Sequence, residues 1–438
     1  MIVLPDTPPV AIKFKNSKVS PQLLSVRAAI ELQQQVTDST SYLIHLEEYL
    51  KCLLAYIDQN GTGNLSVLCE GIPWTNVISP KQRKIPKLGS STDNKITWIA
   101  QNELYMTLIA ITLTYLKKAA EMTNAIIDEE TDNVGQFNEN WKHIMSYYKT
   151  GISYILYAMN LPPVQQQEPP QLQMNNVLLS IIHKISQVSI QIVILIKFSW
   201  INRNSFQFKG ETIQTENNST LSKVAIYILQ ELKVIKNLIN GMEKSEHDFT
   251  LDCSHWIKYL NVIEKYINGY AGLFQSLQMY KEDKLGHALG LVHFSLLSLQ
   301  SKQAVITEST KSTKNIIRNV RMKFNNKKNE MILSNLNSVS SLQIDKSAFN
   351  EKSSPSSRLI LNDLNYLFDQ LIKLNLKFTK ENNNLKFDTI VKWSDIFVDS
   401  KWPTGCPIPI SEIKPYDPHP NQEVTEVKLD YTGRGAYY

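Results

Sequence analysis

No proline occurs between Pro170 and Pro355, although the residues on both sides of that interval are rich in it. Proline removes a backbone donor and clashes with the preceding turn, so so long a stretch without it is open to uninterrupted helix. Apolar residues at helical spacing fill the interval. Leu221, Val224, Ala225, Ile228, Leu232, Ile235 and Ile239 share one face, as do Trp256, Leu260, Ile263, Ile267, Tyr270, Phe274 and Leu277. Met174–Trp200 reads as a further apolar helix. Consecutive helices of this kind must stack to cover their stripes, which predicts an all-α fold, a mainly helical array.

The flanks are organised differently. Pro5, Pro8 and Pro9 precede the alternating stretch Val10-Ala-Ile-Lys-Phe-Lys15, which suits a short β segment within residues 1–19. Ser20 followed by Pro21 is a helix start, with Ser as cap and Pro at the first helical position. Helix then runs to about Asp58, broken near Asp38-Ser39-Thr40. Gly61–Asn94, with Pro73, Pro80 and Pro86, reads as a long irregular connection, and helix is expected again over Ile96–Ile127 and Trp141–Asn160. Residues 20–320 thus form the array. The Asn-, Ser- and Lys-rich stretch 325–357 reads as a flexible insertion, 359–378 as a last helix, and the proline-rich residues 379–438 as an extended tail draped over the helices. All of these belong to one domain, 1–438.

The net charge of +5 is small for 438 residues and selects no partner. Cys52, Cys69, Cys253 and Cys406 lie far apart without a C-x-x-C pair, so neither a zinc site nor a redox pair is written, and a reducing compartment fits. The N-terminus lacks the basic, apolar and small-residue succession of a signal peptide, which sets the expectation of a cytoplasmic chain. The apolar runs Tyr105–Leu116 and Ile185–Ile196 are each shorter than the roughly 20 residues that span a bilayer and read as buried helix.

The most enzyme-like string is Asp128-Glu129-Glu130-Thr131-Asp132, since clustered carboxylates can hold Mg²⁺ against a diphosphate. A second facing cluster is absent, so an exposed acidic loop is the stronger reading, and a helical Mg²⁺-dependent enzyme is the remote alternative. Ser245-Glu246-His247-Asp248 has triad residue types, but triads assemble from distant segments, and this reads as a loop. His287 and His293 are six apart, poorly placed to share a ligand on one helix face. No metal or cofactor is expected. Lys311, Lys314, Arg318 and Arg321 begin a run of basic residues without an acid. A solvated face is the simplest account, with an acidic partner segment or anionic lipid headgroups as the alternatives. No aromatic platform is interleaved with them, which argues against nucleic acid.

The run Tyr280-Lys-Glu-Asp-Lys-Leu-Gly-His-Ala-Leu-Gly-Leu-Val-His-Phe294 resembles the signature helix pair of Bro1 domains, with Gly286 and Ala288 permitting close helix approach. Ile96–Met122, Trp141–Asn160 with Tyr147-Tyr148-Lys-Thr-Gly151-Ile152, and Leu179–Gln187 resemble further helices of that family in the same order. The resemblance implies a banana-shaped, non-enzymatic scaffold with a short N-terminal sheet. It also implies binding of the C-terminal amphipathic helix of the ESCRT-III core subunit, with Leu178, Ile181, Ile182 and Ile185 as contacts, and peripheral recruitment to endosomes. The closing segment, with Trp402-Pro-Thr-Gly405 and Lys414-Pro-Tyr416, resembles that of the fungal PalC branch. PalC proteins link an alkaline-pH receptor complex to ESCRT-III at cortical or endosomal sites. A general cargo-sorting Bro1 adaptor is the alternative within the same family.

Overall fold

The computed structural model describes residues 2–4, 7–11, 19–31, 38–61, 66–69, 72–75, 78–80, 96–162, 176–213, 216–244, 249–251, 253–300, 330–333, 343–344, 358–396 and 402–419. It is all-α, as expected. The helices are α1 (Pro21–Glu31), α2 (Ser39–Asn60), α3 (Ala100–Ile127), α4 (Asn138–Asn160), α5 (Asn176–Phe208), α6 (Asn218–Lys244), α7 (Cys253–Lys281), α8 (Leu285–Gln300), α9 (Ile360–Glu381) and the short α10 (Trp393–Ile396).

The starts follow their local chemistry. Leu23 N donates to Ser20 Oγ at the head of α1, and Asp38 caps α2 by accepting from the amides of Thr40 and Ser41. Each helix from α2 to α3 and onward to α8 packs on the next, and α9 returns to lie mainly on α8. The two apolar stripes read from the sequence in α6 and α7 are buried throughout. Ile2, Val3 and Leu4 are buried too, with Val3 N donating to Tyr259 Oη of α7.

Two short strands occur within the connection Gly61–Asn94, most of which lies outside the described residues. β1 (Ser66–Cys69) pairs antiparallel with β3 (Ile96–Ile99), and β2 (Ile78–Pro80) pairs antiparallel with β4 (Phe249–Leu251). Ile96–Ile99 is therefore strand rather than the first turn of a helix. Its β-branched residues and Trp98 suit a paired strand, and α3 begins only at Ala100. Near the N-terminus Pro9 bridges Trp74, Val10 N donates to Pro73 O, and Thr75 N donates to Pro8 O. Of the alternating stretch Val10–Lys15 that predicts a β segment, residues 12–15 lie outside the described residues.

One corner joins five segments through a single carboxylate. Glu103, in the first turn of α3, is fully buried and accepts from Arg27 Nε (2.7 Å), Tyr49 Oη (3.0 Å), Trp74 Nε1 (2.9 Å) and Trp98 Nε1 (2.7 Å). Arg27 itself is 1% exposed, and its remaining donors reach Glu31, Val10 O and Pro73 O. A buried ion pair survives only when its other lone pairs and protons are satisfied, and here they are.

Candidate partner-binding surface

α5 runs through the middle of the array, touching α3, α4, α6 and α9. It is longer than the sequence implied, continuing to Phe208, and by length and composition it would pass for a membrane span. However, 78% of its most apolar stretch is buried inside the fold, which accounts for the apolarity.

That burial corrects the contact residues expected from the family resemblance. Leu178, Ile181, Ile182 and Ile185 are at most 1% exposed and belong to the continuous core. Neighbouring helices already cover the face they share, so none of them is available to an outside helix. The sequence could not separate a stripe facing its own core from one facing a partner, because both demand the same residues. The accessible stripe of α5 lies on the other side. Ser180, His183 and Lys184 are half-buried there and Gln187 is exposed. Lys184 Nζ pairs with Glu231 of α6 at 2.6 Å. Burial, aided by the Lys184 charge, lowers the pKa of His183 below its ordinary value, favouring the neutral ring.

An extended strap, residues 402–419, lies along this side of the molecule; of the tail expected over 379–438, residues 379–381 belong to α9, 393–396 form α10, and 420–438 lie outside the described residues. Trp402 packs against Phe294 of α8, with ring centroids 5.5 Å apart. Cys406 N donates to Lys223 O of α6. The side-chain amide of Gln191 grips one residue of the strap from both sides, donating to Ile408 O and accepting from Ile408 N, each at 3.0 Å. Further along, Lys149 Nζ donates to Ser411 Oγ, and Tyr416 N donates to Ser153 O of α4. The Tyr416 ring stacks on Tyr154 at 4.4 Å and meets Tyr157 edge-on. Gly405 is required where the strap crosses α6, since a Cβ there would stand 2.7 Å from Tyr227 N. The strap thus covers α5 at Gln191, and among the described residues the Ser180–Gln187 stripe beside it stays accessible.

The acidic loop is exposed, as expected, but it is also tied down. Asp128 accepts from Tyr366 Oη, Glu129 O from Trp200 Nε1, Glu130 from Gln207 Nε2, and Thr131 N donates to Asn204 Oδ1. Asp128 and Asp132 are both exposed, and no group of three or more metal-ligating side chains forms among the described residues. Beside the loop is a cleft of about 130 Å³ between α5 and α9, lined by Glu130, Arg203, Phe206, Tyr366, Asp369 and Lys373 among others. Arg203 is already engaged there, its guanidinium 3.7 Å from the Tyr366 ring centroid and bonded to Ile127 O.

The Tyr280–Phe294 run spans the α7–α8 corner. Asp283 adopts a left-handed conformation (φ 61°), with Lys284 N donating to Met279 O and Asp283 N to Tyr280 O, a Schellman closure of α7. The glycines act differently from the expectation of close helix approach. A Cβ on Gly286 would stand 2.3 Å from Thr389 O, and one on Gly290 2.3 Å from Val391 O, so both admit the chain returning from α9. The close α7–α8 approach is made instead by Gly272, where a Cβ would stand 2.9 Å from Leu291 O. Ala288 is fully buried. His287 is exposed, whereas His293 is half-buried with Nε2 3.1 Å from Asn375 Oδ1, so the two share no ligand. Lys311, Lys314, Arg318 and Arg321, the string 245–248 and most of 325–357 lie outside the described residues.

These features define an all-helical array fastened by an extended C-terminal strap. The chain belongs to a protein family of unknown function, DUF5355, whose model matches residues 98–438. No curated protein matches it. Among solved structures it is similar to Bro1 domains. A Bro1 domain described for endosomal targeting aligns at 12% identity and a TM-score of 0.41, over 84% of this chain and 98% of that one. The Bro1 domain of ALIX in complex with CHMP4C aligns at 11% and 0.47, over 98% and 99%. ALIX in complex with a SIVmac239 late-domain peptide aligns at 11% and 0.45, over 96% of this chain and 50% of that one.

Proposed function

We propose that this protein is a non-enzymatic Bro1-type adaptor that binds the C-terminal amphipathic helix of an ESCRT-III core subunit and is recruited peripherally to endosomes. The reading rests on the ordered sequence resemblances, and foremost on the Tyr280–Phe294 run, whose Gly286 and Gly290 sit where the returning chain leaves no room for a side chain. The partner helix is assigned to the accessible α5 stripe, Ser180, His183, Lys184 and Gln187, next to Glu231. That assignment replaces the buried residues of the same helix.

The test is retention of the isolated ESCRT-III helix on the immobilised full chain. Lys184→Glu combined with Gln187→Glu is expected to abolish retention while leaving the melting temperature within a few degrees of wild type. Failure of the folded wild-type chain to retain any ESCRT-III helix would sink the proposal. Ile182→Asp is unsuitable as a probe, since a carboxylate in that core position is expected to unfold the chain.

Within this reading the pH-response branch is favoured over general cargo sorting. Both motif elements of the closing segment fall at contact points: Gly405 where the strap meets α6, and Tyr416 stacked on Tyr154. Deletion in the host should then impair growth at alkaline pH and spare vacuolar cargo delivery; the opposite pattern selects the cargo-sorting alternative. A receptor complex of the pH pathway is the second partner this branch implies, at the cell cortex. The basic patch Lys311, Lys314, Arg318 and Arg321 is kept as a candidate contact for anionic lipid.

A further inference from the structure

The turn that follows α9 carries an apolar tip that stands exposed among the described residues. After a single π-turn, Asn382–Lys386, the chain exposes Leu385 (72%) and Phe387 (74%), with Ile390 (41%) just beyond and Leu376 (54%) one to two turns earlier on α9. Isolated exposed apolar residues need no account, but two large ones at three-quarters exposure on one turn do.

Phe387 sits in the left-handed region (φ 59°, ψ 27°), where glycine or asparagine is comfortable and a bulky side chain is strained. The backbone is held there on every side. Phe387 N donates to Asn382 O at 2.8 Å, Asn382 and Asp388 exchange two hydrogen bonds at 3.0 Å each, and the Asp388 carboxylate accepts from Gly286 N at 3.2 Å. Folding alone would be better served by another residue at this position. An exposed ring on a rigid, strained turn is a pattern that marks a contact rather than a structural need.

The charges around the tip have one sign to spare. Glu282 is engaged by Lys284, Asp283 by Lys386, Glu381 by Lys377, and Asp388 by the Gly286 amide. Lys281, Lys380 and Lys392 are exposed and make no ion pair among the described residues. Unpaired ammonium groups in the last turns of α7 and α9 and just past Ile390, on the segments that flank a turn with exposed Leu and Phe side chains, match a layer that presents anionic headgroups above hydrocarbon.

We propose that the 385–390 turn is a membrane-inserting tip, with Leu385 and Phe387 entering the acyl region of an anionic bilayer and Lys281, Lys380 and Lys392 on its headgroups. The site is independent of the ESCRT-III assignment and lies on a different element from the α5 stripe.

The probe is the full chain co-floated with phosphatidylcholine vesicles with and without phosphatidylserine. Wild type is expected to float with the anionic vesicles and to be released by salt. Phe387→Asn should float about tenfold less while melting at the same or a higher temperature, because asparagine suits the left-handed backbone; a ring needed only for the fold would lower that temperature. Leu385→Asp with Phe387→Asp should abolish flotation, and Lys380→Glu with Lys392→Glu should remove its dependence on phosphatidylserine. Absence of wild-type flotation overturns the proposal. So does undiminished flotation of the Asp pair, which would move lipid binding to another basic segment. Loss of ESCRT-III helix retention by the Asp pair, with vesicle binding intact, would reassign the tip to a protein partner.

Discussion

The Glu103 corner and the C-terminal strap do the same topological task, fastening distant segments to the helical array, by opposite means. At the corner a single carboxylate gathers four donors from α1, α2, the 73–75 stretch and β3, all out of water. The strap instead spreads its fastening over α8, α6, α5 and α4 through half-exposed backbone bonds and ring contacts. A concentrated, buried junction fails as a unit, because any lost member leaves a desolvated charge. A distributed surface junction yields piece by piece, so it can open locally without unfolding the rest.

The largest effect is expected from Glu103→Gln, which keeps shape but leaves Arg27 buried without its counter-charge. Urea unfolding should show a loss of about 3–5 kcal/mol. A loss under about 1 kcal/mol would mean the corner is not the concentrated junction described.

Gly405→Ala should cost about 1–3 kcal/mol through the clash with Tyr227 and Gln230. Its signature is local: amide exchange should quicken at Cys406, Ile408 and Tyr416 while the α3 amides near Glu103 stay protected. Equal quickening at both places would erase the contrast between the two regions. Gln191→Ala should follow at about 1–2 kcal/mol, two hydrogen bonds being lost with the Ile408 backbone groups open to water.

The smallest effect concerns acid. Burial lowers the pKa of His293, an effect only partly offset by its hydrogen bond to Asn375. The unfolded chain therefore binds the proton more readily, so stability falls as pH drops through 6.5 and levels off below the folded-state value. His293→Gln should flatten that fall by less than about 1 kcal/mol, read as the difference in melting temperature between pH 7.5 and 5.5. His183 carries the same sign and should keep part of the slope. A variant as steep as wild type would show that α8 is not the acid-sensitive part.

Much of the fold was legible because it depends on local rules. The Ser20-Pro21 start, the Asp38 cap and the stripes of α6 and α7 follow from backbone donors at helix ends and from the helical repeat. What went unread depends on meetings across the chain. β1 and β2 are short, and their partners lie beyond or far from the proline-rich connection. Glu103 offered one signal, a lone carboxylate at the head of a largely apolar helix five residues after Trp98, but nothing local names Arg27, Tyr49 or Trp74 as its partners. Gly286 was legible as a close approach, although the approaching chain is the 389–391 segment and not a helix, and Gly290, which meets the same segment, went unread.

The sequence by itself determined that helices must form and must stack, since periodic apolar residues without proline allow no other way to leave water. Tertiary structure alone decided which face of α5 meets the core and which meets solvent, because burial against a neighbouring helix and burial against a partner require the same side chains. It also decided where a carboxylate, a glycine or an exposed phenylalanine acquires its purpose, since each is defined by what another part of the chain brings beside it or leaves bare.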